Sequence, residues 1–155
     1  METSCVDDGT CRPMNGESPK RVLVEPVRIR IVEDRDVIQA VLAARRFASA
    51  NGLDANVANQ VATAVSELAR NIIKYAGRGE ILIAGVEKGS RSGVEVVSRD
   101  RGPGIADIEQ AMSDHFSSGG TLGLGLPGVK RMMDEFAIES TPGHGTTVTV
   151  TKWLG

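Results

Sequence analysis

The strands of this sequence come in consecutive pairs joined by glycine turns, and that ordering limits the folds open to it. Residues 27–32, Val-Arg-Ile-Arg-Ile-Val, alternate with β-branched side chains on one face and read as a half-buried strand. Residues 80–87 and 94–99 flank a turn bearing Gly89 and Gly93, which makes a hairpin. Residues 137–141 and 146–153 flank Pro142-Gly143-His144-Gly145 in the same way. Two helices separate the first strand from the first hairpin. One, capped by Asp34, runs to about Ala50 with Val37, Ile38, Val41, Leu42 and Ala48 at helical spacing, and Asn51-Gly52 ends it. The next opens at Asp54 and reaches Tyr75 through Val57, Val61, Val65, Leu68 and Ile72. A short amphipathic piece over 105–116, a glycine-rich loop and a third helix over 126–136 precede the last pair of strands. Hairpins in place of βαβ crossovers predict an α+β fold: a two-layer α/β sandwich, its mixed and largely antiparallel sheet carrying helices on one face.

At 155 residues the chain is one domain's worth. Residues 1–20 are polar, lack any period and read as a disordered tail, leaving 21–155 as the single domain. A net charge of -2 gives no basic field for nucleic acid or an anionic membrane. The apolar runs are too short to span a bilayer and no secretory leader is recognisable, so a cytoplasmic location is expected. Cys5 and Cys11 sit in the polar tail without CxxC spacing or a histidine partner, which gives metal or redox chemistry no support.

Fourteen of the 18 glycines lie from Gly77 to Gly145, where loops with a backbone task are implied. Four segments there and on the second helix can carry chemistry. Glu67 and Asn71 lie four apart on one helical face, with Lys74 a turn further. Two readings are open: a solvated polar stripe, or an Asn71 oxygen for a hard cation with Glu67 handling a proton beside it. Asp100-Arg101-Gly102-Pro103-Gly104 follows a strand. It is either a plain surface loop or a tight turn whose carboxylate accepts from an exocyclic amine such as that of adenine. Gly119-Gly120-Thr121-Leu122-Gly123-Leu124-Gly125 enters a helix with Pro127 near its start, a layout that offers backbone N–H groups to phosphates. Gly145-Thr146 reads as a hairpin turn, with Thr146 able to close a phosphate site.

Several familiar sites are excluded. Gly123, Gly125 and Gly128 spell GxGxxG, yet no βαβ unit follows and residues 143–148, about twenty residues on, hold no acid, so a dinucleotide fold fails. No Gly-Lys pair exists for a Walker A loop. His115 and His144 lack neighbouring ligands, and no nucleophile elbow occurs. Met132, Met133 and Phe136 share a helical face with Val129 and read as core.

In order and spacing, the four segments resemble the boxes of the GHKL ATPase superfamily: Glu67 to Asn71, Asp100 to Gly104, Gly119 to Gly125, and Gly145-Thr146. The wording of residues 69–76 and 123–136 is similar to that of RsbT-type serine/threonine kinases, which resemble bacterial anti-sigma factors. The resemblance implies a Bergerat-type sandwich binding ATP and Mg²⁺, with Asn71 as metal ligand, Glu67 as base and Asp100 as adenine reader. It further implies phosphorylation of a STAS-domain antagonist held in a stressosome, and activation of a PPM-type phosphatase by binding. Only about fifteen residues separate Gly104 from Gly119, so the flap over ATP is short.

Two rivals share this fold: a protein that sequesters a sigma factor, and a phosphatase activator without chemistry of its own. A sensor histidine kinase needs an acceptor histidine on a preceding helical hairpin, and no histidine precedes His115. Arg45 and Arg46 on the first helix read either as a solvated face or as part of a partner surface.

Overall fold

The computed structural model describes residues 3–5, 11–13, 19–22, 25–112 and 125–154. Within the segment read as a tail, β1 (Thr3–Cys5) and β2 (Cys11–Pro13) form a separate two-stranded antiparallel ladder. The main sheet contains β3 (Arg21–Val22), β4 (Val27–Ile31), β5 (Gly79–Lys88), β6 (Arg91–Asp100), β7 (Glu135–Thr141) and β8 (Gly145–Trp153). Its order is β3-β5-β6-β8-β7, with β4 beside β3 on the same edge of β5. Every ladder among the described residues is antiparallel, which is simpler than the mixed sheet expected from the sequence. The two hairpins account for the β5–β6 and β7–β8 ladders, because each turn reverses the chain within hydrogen-bonding distance of its own start.

The helices are α1 (Asp34–Ala50), α2 (Ala55–Tyr75), a single turn α3 (Ile108–Ala111) and α4 (Gly125–Met132). Helix α2 packs on β5, β6 and β8, while α1 packs on α2 and β4. Alternation puts Ile81, Ile83, Val94, Val96, Val148 and Val150 on the helix side of the sheet, where all are buried. They meet Val61, Val65, Leu68 and Ile72 of α2 and Val129 and Met133 at α4 in one core. Burial of this apolar face, more than helix propensity, fixes α2 against the sheet.

Two boundaries differ from expectation. Glu33, not Asp34, occupies the cap of α1, and the Asp36 carboxylate accepts from the Val32 and Glu33 amides at 2.9 and 3.0 Å. The third helix stops at Met132 instead of 136, because Phe136 and Ile138 alternate as strand residues opposite Val150 and Val148. Asp54 caps α2 as expected, accepting from the Val57 amide at 2.9 Å.

On the opposite face of the sheet, Lys20 reaches over to Glu95 at 2.7 Å and to the buried Thr151 hydroxyl at 2.9 Å. The chain ahead of β3 is thereby tied to the sheet's outer face.

Candidate nucleotide site

Helix α2 runs the length of the site. Its apolar stripe faces the sheet, which leaves the Glu67 and Asn71 stripe turned to the edge of the core. Glu67 is only 8% exposed. One carboxylate oxygen, Oε2, accepts from the Gly125 amide at 3.3 Å, and the other, Oε1, lies 3.9 Å from Arg70 Nη1. The carboxylate thus bridges α2 to the first residue of α4, where the glycine-rich loop ends. Asn71 is half-buried one turn further along.

Nine residues beyond Glu67, about 13.5 Å along the axis, the C-cap of α2 at Ala76 lies against the second element of the site. A methyl group added at Gly102 would lie 2.6 Å from the Ala76 Cβ, so only glycine lets this loop touch the helix end. Asp100 closes β6 and is half-buried. Its Oδ1 accepts from the Gly102 amide at 2.9 Å and the Thr146 amide at 3.3 Å. Both bonds land on one oxygen, Oδ1, and leave the second carboxylate oxygen able to accept another bond. Gly104 has φ +78° and backs onto the Thr141 carbonyl, while Gly145, with φ +87°, backs onto the Asp100 carbonyl. Glycine is required at both, since the conformation disfavours a side chain and no space exists for one.

Ser140 was not visible in the sequence as part of this cluster. Its hydroxyl accepts from the Ile105 amide at 2.7 Å and lies 2.8 Å from the Thr146 hydroxyl. It joins the loop after Asp100 to the final hairpin, assisted by the Gly143 amide donating to the Pro103 carbonyl at 2.8 Å. The signal that could have found it is strand register, because Ser140 stands opposite Thr146 across the β7–β8 ladder.

The structure therefore brings Asp100, Gly102, Gly104 and Thr146 into one bonded cluster, and Glu67 to Gly125. Helix α2 links the two groups. Gly119, Gly120, Thr121, Leu122, Gly123 and Leu124 lie outside the described residues. Among the described residues no group of three His, Cys, Asp or Glu could cage a metal ion. A cation here would take one protein oxygen and its remaining ligands from phosphates and water, the habit of Mg²⁺. The Asn71 carbonyl is a donor of the right hardness for that.

The chain is similar to known proteins in sequence and in fold. Residues 32–152 match the family of the histidine kinase-like ATPase domain. The chain is 44% identical over 126 residues to the serine/threonine-protein kinase RsbT of Bacillus subtilis, covering 81% of this chain and 95% of that protein. It is 38% identical over 101 residues to the anti-sigma F factor of Thermoanaerobacter sp. strain X514, covering 61% of this chain and 69% of the relative. Among solved structures, the mycobacterial sensor histidine kinase MprB superposes with a TM-score of 0.50 at 20% identity, over 84% of this chain and 97% of that one. That likeness concerns the fold. The chain belongs to the histidine kinase-like ATPase domain family, in the group that holds RsbT-type serine/threonine kinases and anti-sigma factors.

Proposed function

We propose that this protein is a cytoplasmic, ATP-dependent serine/threonine kinase of a bacterial partner-switching pathway. In this reading it phosphorylates a STAS-domain antagonist, held in a stressosome, and activates a PPM-type phosphatase by binding it. The observation that carries the reading is the buried Glu67 carboxylate, held by the Gly125 amide at the end of the glycine-rich loop. A base at that place stands where the nucleotide's phosphates and an incoming hydroxyl would meet. The kinase name and 44% identity of the RsbT relative support it.

Each residue has a task on this account. Asp100 Oδ2 accepts from the adenine amine, and Thr146 with the Asp100–Gly104 turn shapes that end of the pocket. Backbone N–H groups of residues 119–125 and the start of α4 hold the phosphates. Asn71 supplies an oxygen to Mg²⁺, which on binding neutralises charge on the phosphates. Glu67 orients the acceptor hydroxyl and takes its proton.

A second reading, direct sequestration of a sigma factor, draws on the anti-sigma F relatives. The test is transfer of labelled γ-phosphate from ATP to a purified STAS-domain antagonist of the same organism. The kinase reading expects Mg²⁺-dependent labelling of a serine or threonine. Tight sigma-factor binding with no labelling of any such antagonist would overturn it in favour of sequestration.

A further inference from the structure

Helices α1 and α2 form an antiparallel pair, and their seam opens outward as a groove of about 420 Å³. From α1 it is lined by Val37, Ile38, Val41, Leu42 and Arg45. From α2 it is lined by Ala62, Thr63, Ser66, Glu67 and Arg70. Ile38 is 61% exposed and Leu42 is 40% exposed, among the most exposed large apolar side chains described. They sit one helical turn apart on α1 and form a short apolar ridge rather than two scattered residues.

The charges have an order along the groove. Arg45 donates to the Asn59 side chain at 3.0 Å, which fixes that end beside the N-terminal half of α2. Because the helices run antiparallel, Arg70 marks the other end, together with Glu67. Arg70 keeps 64% of its side-chain surface exposed, and its contact with Glu67 is a loose 3.9 Å. An apolar ridge therefore lies between two cations, on a chain whose net charge is -2. The single anion in the groove, Glu67, is already bonded to Gly125.

We infer that this groove is the docking surface for the protein that presents the acceptor hydroxyl, and that it takes an amphipathic helix with apolar residues at helical spacing and carboxylates toward its ends. Helix-in-groove recognition needs such a seam, and the two arginines select an acidic occupant over a basic one. Continuity with the chemistry fixes which partner this is. Glu67 lines the groove and belongs to the nucleotide site, so an occupant is delivered to the catalytic carboxylate. The inference rests on the kinase reading for the identity of the partner.

The test uses Ile38→Ser/Leu42→Ser and Arg45→Glu in the full chain, with a purified STAS-domain antagonist of the same organism as probe. These side chains lie outside the nucleotide site and are solvent-exposed, so circular dichroism and ATP affinity should match wild type. Both variants should raise the KM for the antagonist by about tenfold or more, with kcat changed far less, as for lost contacts at the centre of an interface. Arg45→Glu should also weaken the salt dependence of binding. Unchanged KM and unchanged binding in both variants would overturn the inference. If the variants alter only self-association in sedimentation, the occupant is a second copy and the inference fails. Should wild type transfer no phosphate, the kinase reading fails alone. The groove is then judged by calorimetric binding of the same antagonist, where equal affinity of wild type and variants overturns it.

Discussion

Asp100 has a structural duty independent of any ligand, because its Oδ1 holds the Gly102 and Thr146 amides together. Asp100→Asn keeps an oxygen for those amides but removes the charge that strengthens an acceptor to a buried amine. Loss of a charge-assisted bond costs about 1.5–3 kcal/mol, roughly ten- to a hundredfold in affinity. Calorimetry should show that drop for ATP with little change in melting temperature, and GTP should bind poorly because guanine offers a carbonyl where adenine offers an amine. Equal ATP affinity in the variant would remove Asp100 from the adenine contact. Single residues of this kind were legible in the sequence where chain order alone joined them to their partners. Asp100 and Gly102 are two residues apart, so their turn shows in one dimension. Ser140 and Ile105 are 35 apart, and only the folded ladder reveals their bond.

At the scale of elements, the helix ends carry the next expectations. Asp36 accepts from two backbone amides, and those bonds hold its carboxyl below the usual carboxylate range, ahead of the opposing effect of burial. A lowered folded-state pKa means stability that is present above the unfolded value of 3.8 and lost as pH falls through the folded one. Asp36→Asn should therefore lower the melting temperature at neutral pH, and the gap to wild type should close in acid, below about pH 4. A gap independent of pH would show that the cap works by shape alone.

Helix α4 opens at Gly125 with φ +63°, and among the described residues a side chain there meets nothing closer than Pro127 at 3.6 Å. Gly125→Val consequently strains the backbone by about 1–2 kcal/mol while its Cβ clashes with none of the described residues. We expect a folded protein with weakened ATP binding, measured by calorimetry beside a thermal melt. Unfolding at room temperature would mean that this glycine serves packing. Val129, Met132, Met133 and Phe136 fit a helical period, but Phe136 and Ile138 also fit a strand period of two. Pairing with β8 decides between them.

For the molecule as a whole, the order of hairpins was enough to read the α+β sandwich, because sequential strands joined by tight turns have few other ways to pair. The two-residue strand β3 and the Lys20 tie to Glu95 were not legible, since two residues show no alternation and a lone lysine in a polar stretch carries no period. The candidate site shows in the sequence as separate segments and not as an assembly: α2 connects the Glu67 and Asp100 groups through Ala76 and Gly102, a contact that depends on tertiary packing.

The central claim is that Glu67 performs chemistry and is not merely a strut between α2 and α4, and Glu67→Gln separates the two. Glutamine retains an oxygen to accept from the Gly125 amide, so the start of α4 should stay in place, yet it cannot take a proton. The decisive measurement is transfer of labelled γ-phosphate to the STAS-domain antagonist by the variant, run beside ATP calorimetry and a binding assay with the same antagonist. The account predicts near-normal binding of both, with transfer reduced by about 10²–10⁴-fold. Transfer at the wild-type rate in Glu67→Gln would contradict it.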